Sequence, residues 1–204
     1  MEQLHRVRRS ERERGLRLRV LFGLFRYGLY GFLGQGGEVL FYNLVRLGRS
    51  IPGLEVLFRF GWHVDPRLNL EAVWQTPAVV LFGQCSLWMF PVYATAAFCL
   101  IEPLYRRTAR RPFWLRGLLY SMAIVGFEVV SGHALKAITG YAIWYYDDPL
   151  NVLGMSSLAI LPIWFVTGLL VETLYRELMD PTVRKAIEEE LANPAAPPPV
   201  TTPS

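Results

Sequence analysis

Two glutamates, Glu38 and Glu128, carry the most informative chemistry in this sequence, because both stand in otherwise apolar stretches. Each follows an arginine, Arg26 or Arg116, by twelve residues, which corresponds to a helical rise of about 18 Å. In an apolar layer about 30 Å thick, neither arginine would reach that depth. We expect each carboxyl to be protonated, to be hydrogen-bonded by other helices, or to face a wet cavity. An ionisable group so placed indicates proton exchange or cation binding.

A purely structural role is the alternative for Glu38 and Glu128. Two neutral glutamates could be bound by Gln35, Ser131 or tyrosine hydroxyls and serve helix packing. In the functional interpretation, the repeat symmetry would bring the two carboxyls together as a pair near one axis, whereas in the structural one each could face packed helices separately.

Two further glutamates, Glu102 and Glu172, stand near the opposite ends of apolar stretches and have a structural interpretation. Each occurs in the same pattern, Leu-x-Glu-x-Leu-Tyr-Arg. Arg26 and Arg116 lie at the depth of these carboxyls, so we predict ion pairs of Arg26 with Glu102 and of Arg116 with Glu172, within each unit or crosswise. Such pairs would fix the register of the helices.

A loop between residues 140 and 154 is rich in aromatic and polar side chains. Tryptophan and tyrosine favour the membrane interface, and Asp-Pro followed by Asn favours a turn, which accounts for much of this composition. The same residues could also cover a cavity above the deep glutamates. With Glu38 and Glu128, the candidate substrate- or ion-binding residues are therefore Trp144, Tyr146, Asp147 and Asn151.

An enzyme is the second functional class that we consider. Glu128, His133 and Asp147 could be the acid–base groups of a membrane-embedded enzyme that modifies lipid. The sequence offers no recognised nucleophile, and His5, His63 and His133 lack metal-ligand spacing. It predicts no catalytic set, no metal site and no cofactor. A structural or accessory membrane protein is the third class.

The elements that hold these residues are predicted from the hydropathy of the chain. Hydrophobic residues make up 52% of the sequence, and four stretches are long enough to cross a bilayer at about 20 residues each. We predict an all-α integral membrane protein with a basic arm at 1–19 and a four-helix domain at 20–178. A charged tail at 179–204 would be partly disordered. The predicted spans cover residues 20–44, 77–101, 113–135 and 152–171.

The recurring motifs predict an internal duplication. Arg26 and Glu38 recur as Arg116 and Glu128 with an offset of 90, whereas the Leu-x-Glu-x-Leu-Tyr-Arg motifs recur with an offset of 70. The first connecting loop is thus about 20 residues longer, and residues 54–62 within it read as a short amphipathic piece. Two spans per unit predict parallel two-helix repeats. The adjacent glycines Gly36 and Gly37 would either pack closely or permit a break in the first span.

Arginines are concentrated before the first span and between the second and third spans. This asymmetry predicts cytoplasmic N- and C-termini, and the composition favours a bacterial inner membrane. It also explains the net charge of +4 without nucleic-acid binding. The expected partners are the lipid bilayer and either a second copy of the chain or a separate membrane or ATPase subunit.

Several of these residues also form a recognisable series. The order Arg116, Tyr120, Glu128, Gly132 and Leu135, continued by Trp144, Tyr146, Asn151, Gly154, Trp164 and Glu172, resembles the transmembrane protein 229 family. It is equally similar to bacterial proteins named ABC-transporter type IV or CmpB-like, and Trp88, Tyr93, Glu102 and Tyr105 match their earlier span.

The resemblance covers about residues 27–176 and implies transport. The family often has Trp-Asp-Tyr-Ser in the loop, where this chain has Tyr145 and Asp147 at the second and fourth places. An acidic role there would fall to Asp147 or Asp148. Because the sequence contains no phosphate-binding Gly-x-x-x-x-Gly-Lys-Ser/Thr loop, any ATPase would be a separate subunit.

Overall fold

The computed structural model describes residues 2–53, 61–68 and 84–192. These parts of the chain are mostly helical. The predicted start of the second span (77–83), most of the amphipathic piece at 54–62 and the end of the tail (193–204) lie outside the described residues.

The first helix, α1, runs from Glu2 to Arg49 and joins the predicted basic arm and first span in one continuous element. It continues through Gly36 and Gly37, around which a Cβ would meet nothing within 4 Å. The close packing is instead at Gly31 and Gly34. A Cβ on Gly31 would come within 2.6 Å of the Phe90 ring, and one on Gly34 would overlap Tyr93. These small residues therefore let α1 and its neighbour approach closely.

That neighbour, α2, consists of an α-helical part (Met89–Thr95), a π-helical part (Ala96–Ile101) and a second α-helical part (Glu102–Thr108). A loop leads to α3 (Phe113–Thr139), and α4 (Leu161–Leu178) follows a 3₁₀ turn at Leu158–Ile160. The helices α1 and α2 pack together, as do α3 and α4, and the π-helical part of α2 contacts α1, α3 and α4. It therefore joins the two helix pairs.

Two helices begin later than the hydropathy predicts. Residues 84–88 are not helical, so within the described residues α2 starts at Met89 rather than in the region of residue 77. Likewise α4 starts at Leu161 rather than at residue 152. Pro91 and Pro162 lie in the first turn of these helices, where the missing N–H costs nothing but the ring excludes a preceding helical turn.

Two of the described helical segments are long and apolar enough to cross a membrane. They are Phe113–Thr139 and Leu158–Leu178, with mean hydropathies of 1.5 and 1.8. Large apolar side chains face outwards from them, including Val130 at 69% exposure and Leu170 at 64%. This exterior suits lipid better than water. That α1 and α2 also span a membrane, in a duplicated four-span arrangement, stays a prediction.

The connecting segments meet at one end of the helices in a small β structure. The strands β1 (Trp62–His63) and β2 (Tyr145–Tyr146) pair antiparallel, as do β3 (Asn151–Val152) and β4 (Ser156–Ser157). We call residues 61–68 and 140–157 the loop cap. The cap therefore combines the connection between α1 and α2 with that between α3 and α4.

An aspartate fastens the two segments of the loop cap together. Asp65 donates its backbone N–H to Ala142 O at 3.0 Å, and Asp65 Oδ2 accepts from Ala142 N at 3.2 Å. Arg67 donates to both carboxylate oxygens of Asp65 at 2.8 and 2.6 Å and to Gly140 O at 2.8 Å. The hydrogen bonds from Arg67 hold the pKa of Asp65 well below its usual range.

A fifth helix, α5 (Pro181–Ala192), forms the start of the predicted charged tail and packs against α1. Arg184 pairs with Glu188 at 2.8 Å one turn later, and its guanidinium lies 5.9 Å from the centre of the Phe22 ring. The first part of the charged tail is therefore helical.

Candidate functional site

Glu128 lies on α3 in a cage of three donors supplied by the loop cap and α4. Tyr146 donates its hydroxyl to Oε1 at 3.3 Å. Ser156 and Trp164 donate to Oε2 at 2.5 and 3.0 Å, respectively. Since Glu128 is only 9% exposed, these neighbours replace water as its hydrogen-bond partners.

Glu38 lies on α1 in a cage of the same design. Tyr42, one turn later on the same helix, donates to Oε1 at 3.1 Å. Tyr93 of α2 donates to Oε2 at 2.8 Å, and the Cys85 thiol donates to the same oxygen at 3.2 Å. Each deep carboxyl thus has one oxygen opposite a single tyrosine hydroxyl and the other oxygen opposite two donors.

Both cages are made of uncharged donors. In the part of the chain that the structure describes, no arginine, lysine or histidine side chain forms an ion pair with Glu38 or Glu128. The predicted alternative partners lie elsewhere, because Gln35 donates to Ser86 O and Ser131 donates to Phe127 O. Tyrosine hydroxyls are the partners that the sequence reasoning named and the structure supplies.

An aromatic cluster connects the two cages. Tyr93, Tyr146 and Trp164 all pack in the cluster built around Met89 and Trp144.

Trp62 of the loop cap completes this connection. Its ring centre lies 4.3 Å from that of Tyr42, and its backbone pairs with that of Tyr146. Glu38 and Glu128 therefore belong to one site rather than to two independent ones.

The other predicted loop residues support this site without contacting the carboxyls. Trp144 is buried and donates Nε1 to Met155 O at 2.9 Å. Asp147 is exposed and pairs with His63 Nε2 at 3.0 Å. Asn151 donates to Asp148 O and accepts from Gly154 N, which closes a turn. Of the four predicted loop residues, only Tyr146 touches a deep glutamate.

The predicted arginine–glutamate pairs lie on the other side of the helices from the loop cap, and both form within a unit. Arg26 Nη2 lies 3.3 Å from Glu102 Oε2. Arg116 binds Glu172 in a bidentate manner, with distances of 2.8 and 2.7 Å.

A tyrosine one turn after each arginine completes each of these pairs. Tyr30 donates to Glu102 at 2.9 Å, and Tyr120 donates to Glu172 at 2.7 Å. Each buried carboxylate is therefore both paired and hydrogen-bonded, as burial requires.

The two units also differ in a specific way. Pro91 and Glu102 are eleven positions apart, whereas Pro162 and Glu172 are ten apart. The π-helical part of α2, Ala96–Ile101, lies within the longer interval. A π turn accommodates one extra residue in a helix, so Glu102 can face Arg26 while Tyr93 still faces Glu38.

The residues of the enzyme alternative are not brought together. His133 is exposed on α3, and no hydrogen bond or ion pair within the described residues joins it to Glu128 or Asp147. The described residues also contain no group of three or more His, Cys, Asp or Glu side chains that could hold a metal ion.

Several residues of the site were not predicted from the sequence. Tyr42 could have been found, since a tyrosine four residues after a glutamate shares its helix face. Tyr93 and Trp164 each stand two residues after a proline, Pro91 or Pro162, which is a recurring signal. The others gave no signal that we can identify; they are Trp62, Cys85 and Ser156.

Comparison with known proteins adds no assignment. No protein-family model matches the sequence, and no solved structure matches it. The resemblance to the transmembrane protein 229 family therefore stays a prediction.

Proposed function

We propose that this chain is a four-span protein of the bacterial inner membrane with cytoplasmic N- and C-termini, built from two parallel two-helix units. Two helical segments long and apolar enough to cross a membrane support this arrangement. The matching sets Arg26, Tyr30 and Glu102, and Arg116, Tyr120 and Glu172, support the duplication. In this orientation the arginine–glutamate pairs face the cytoplasm and the loop cap faces outwards.

We further propose that it is a transport or permease-like component that exchanges an ion at Glu38 and Glu128. One observation carries this proposal: both carboxyls sit among helices with three uncharged donors each and no counter-charge among the described residues. Glu102 and Glu172, to which we assign a structural role, are each paired with an arginine. A carboxyl pair without such a partner among the described residues is instead suited to taking up and releasing a positive charge.

The route to the site would pass through the loop cap. Tyr146 connects Glu128 with the cap, and the exposed Asp147 and His63 lie next to it in the sequence and in the β1–β2 pair. Membrane proteins tolerate non-helical backbone within the bilayer where it is buried in protein or lines a polar pathway. The position of the loop cap above Glu128 therefore suits an outward-facing route.

Ion flux into proteoliposomes that contain only this chain tests the proposal. A trapped pH indicator and parallel sodium and potassium indicators would report the ion under an imposed membrane potential. We expect Glu38→Gln and Glu128→Gln to abolish the flux, because glutamine keeps the shape of the side chain but cannot carry a proton or a charge.

Glu177→Gln is the matched control, since Glu177 is an exposed glutamate on α4 away from the site. Its flux should equal that of the unaltered protein. Unchanged flux in both deep variants, with normal expression and folding, would refute the proposal. Flux that appears only when a second subunit is added would refute the sufficiency of this chain alone.

A further inference from the structure

We propose that the ion exchanged at Glu38 and Glu128 is the proton, and that the hydroxyls of Tyr42 and Tyr146 deliver it. This inference rests on the proposed function, because it names the ion and the delivering groups of the same site. Four observations support it: the donors at each carboxyl oxygen, the lack of cation ligands, the position of the tyrosines and the surrounding charges.

The donors assign different roles to the two oxygens of each carboxyl. At Glu128, Oε2 accepts from the indole N–H of Trp164, a group that can only donate, and from Ser156. At Glu38, Oε2 accepts from Tyr93 and Cys85. At Glu128, Oε2 is therefore an acceptor whether or not the carboxyl is protonated, whereas at Glu38 Oε2 accepts from two donors and Oε1 from one.

At Glu128 a proton must then reside on Oε1, and we assign the proton of Glu38 to the corresponding oxygen, since each Oε1 faces a single tyrosine hydroxyl. A phenol can donate or accept a hydrogen bond. When Oε1 is charged, Tyr42 or Tyr146 donates to it, and when Oε1 is protonated, the same hydroxyl accepts from it. Both protonation states thus fit the cage without movement of its heavier atoms.

The same cages are poorly suited to a metal cation. Hard cations require several oxygen ligands; calcium, for example, takes about six to eight. Around Glu128 one of the three neighbours is an indole N–H, which has no lone pair to offer. A site built of donors favours a bare proton over a metal ion.

The two tyrosines lie on the route towards the surface. Tyr42 packs against Trp62, and Trp62 pairs with Tyr146 in the β1–β2 ladder, so both tyrosines contact the same strand of the loop cap. Tyr93 and Trp164, in contrast, reach the carboxyls from the helices α2 and α4. The exchangeable oxygen of each carboxyl is therefore hydrogen-bonded to the tyrosine that contacts or belongs to the cap.

The charged and titratable groups around the pair would retain a proton. Glu38 faces Tyr42, Tyr93 and Cys85, whereas Glu128 faces Tyr146. Among the described residues, the two glutamates also act on each other, and Asp148 acts on Tyr146. These neighbours are neutral or negative, so one proton bound at the pair relieves the repulsion between them.

The transfer step conserves charge and atoms. The O–H bond of the tyrosine breaks as an O–H bond forms at Oε1 of the glutamate, and a hydronium ion on the cap side replaces the phenolic hydrogen. The glutamate becomes neutral, the tyrosine ends as a neutral phenol, and one water molecule is released. The reverse sequence returns the proton.

Infrared difference spectroscopy of the protein in lipid bilayers tests proton binding directly. On acidification we expect a C=O stretching band of protonated carboxyl groups, reduced in Glu38→Gln and in Glu128→Gln and unchanged by sodium or potassium. A tenfold rise in sodium that displaces the titration of this band would overturn the proposal. A band of full size in both variants would also overturn it.

The role of the tyrosines is tested by proton flux. Tyr146→Phe should slow the flux on the order of 10²-fold, as expected for loss of a proton-transfer group, and should shift the carboxyl band without removing it. Tyr145→Phe is the matched control, because Tyr145 is the adjacent residue and stacks on His63. Equal flux in the two variants would overturn the assignment to Tyr146.

These measurements separate this inference from the proposed function. A titrating band with no flux in the unaltered protein would support proton binding while refuting transport. Flux that depends on the glutamates but follows sodium would support transport while refuting the proton as the ion.

Discussion

Replacement of Gly34 by alanine should force α1 and α2 apart and disturb the Glu38 cage. A Cβ at Gly34 would overlap Cβ and Cγ of Tyr93, closer than the 3.0 Å that real Cβ contacts respect, whereas ordinary contact begins at 3.4 Å. The Cβ of Tyr93 is fixed to the backbone of α2 and cannot rotate away. To reach ordinary contact, α1 and α2 must therefore separate by more than 0.4 Å, which is the difference between 3.0 and 3.4 Å. Tyr93 moves with α2.

Two other glycines on the same helix provide a graded series. Gly31→Ala would place a Cβ 2.6 Å from the Phe90 ring, which can relieve the contact by rotating. Gly36→Ala would meet nothing within 4 Å. All three changes improve helix propensity by about 1 kcal/mol, so that gain cancels when the variants are compared.

The expected differences follow from the cost of overpacking. Relative to Gly36→Ala, Gly34→Ala should lose about 1–3 kcal/mol in the free energy of unfolding, and Gly31→Ala should lose less. Unfolding in mixed detergent micelles, followed by tryptophan fluorescence, measures this order. Gly34→Ala should also change the Glu38 carboxyl band, because Tyr93 donates to Glu38 at 2.8 Å. Equal stability of Gly34→Ala and Gly36→Ala would refute the packing of α1 on α2.

Two further perturbations address the two ends of the molecule. Arg116→Gln leaves Glu172 buried without its partner and should cost about 3–5 kcal/mol in the free energy of unfolding. Lys185→Gln removes one member of an exposed pair and should cost less than about 1 kcal/mol. Equal losses would contradict the buried pair at Arg116. In the loop cap, the hydrogen bond from Arg67 holds the pKa of Asp65 below its usual range. The stabilisation of the fold by Asp65 is therefore fully present above the unfolded pKa of about 3.9. It is lost as the pH falls through the lower pKa of the folded state. Protection of residues 61–68 from amide hydrogen exchange should therefore fall only in strong acid. Asp65→Asn should lower this protection at pH 7. Equal protection in the variant and the unaltered protein would disprove that Asp65 fastens the loop cap.

Much of the helical architecture could be predicted from the sequence, because hydropathy and length are local properties. Phe113–Thr139 coincides closely with the predicted span 113–135, whereas Leu158–Leu178 overlaps the predicted span 152–171 but is displaced towards the C-terminus. The prediction was less accurate at helix starts. Apolar residues such as Leu87 stand before the first turns that contain Pro91 and Pro162, and hydropathy counts them as part of a span although a proline ring disfavours a helical turn before it. A window average does not detect this constraint.

The candidate site could be predicted only in part. The distance along each helix from its arginine distinguished Glu38 and Glu128 from the other two glutamates. In the described residues, Arg26 and Arg116 form ion pairs only with Glu102 and Glu172. The donors around the deep carboxyls could not be found in this way. Cys85 lies 47 positions from Glu38, and Ser156 lies 28 positions from Glu128.

The sequence by itself determined which groups carry charge, how deep they lie along each helix and which of them recur. These properties follow from residue type and from the fixed rise of a helix. Only the tertiary structure decided what surrounds Glu38 and Glu128, since their donors come from other helices and from the loop cap. The cap depends on the pairing of Trp62 with Tyr146 across 84 positions, which no local pattern specifies. Two solitary carboxyls thus become one site because distant segments close around them.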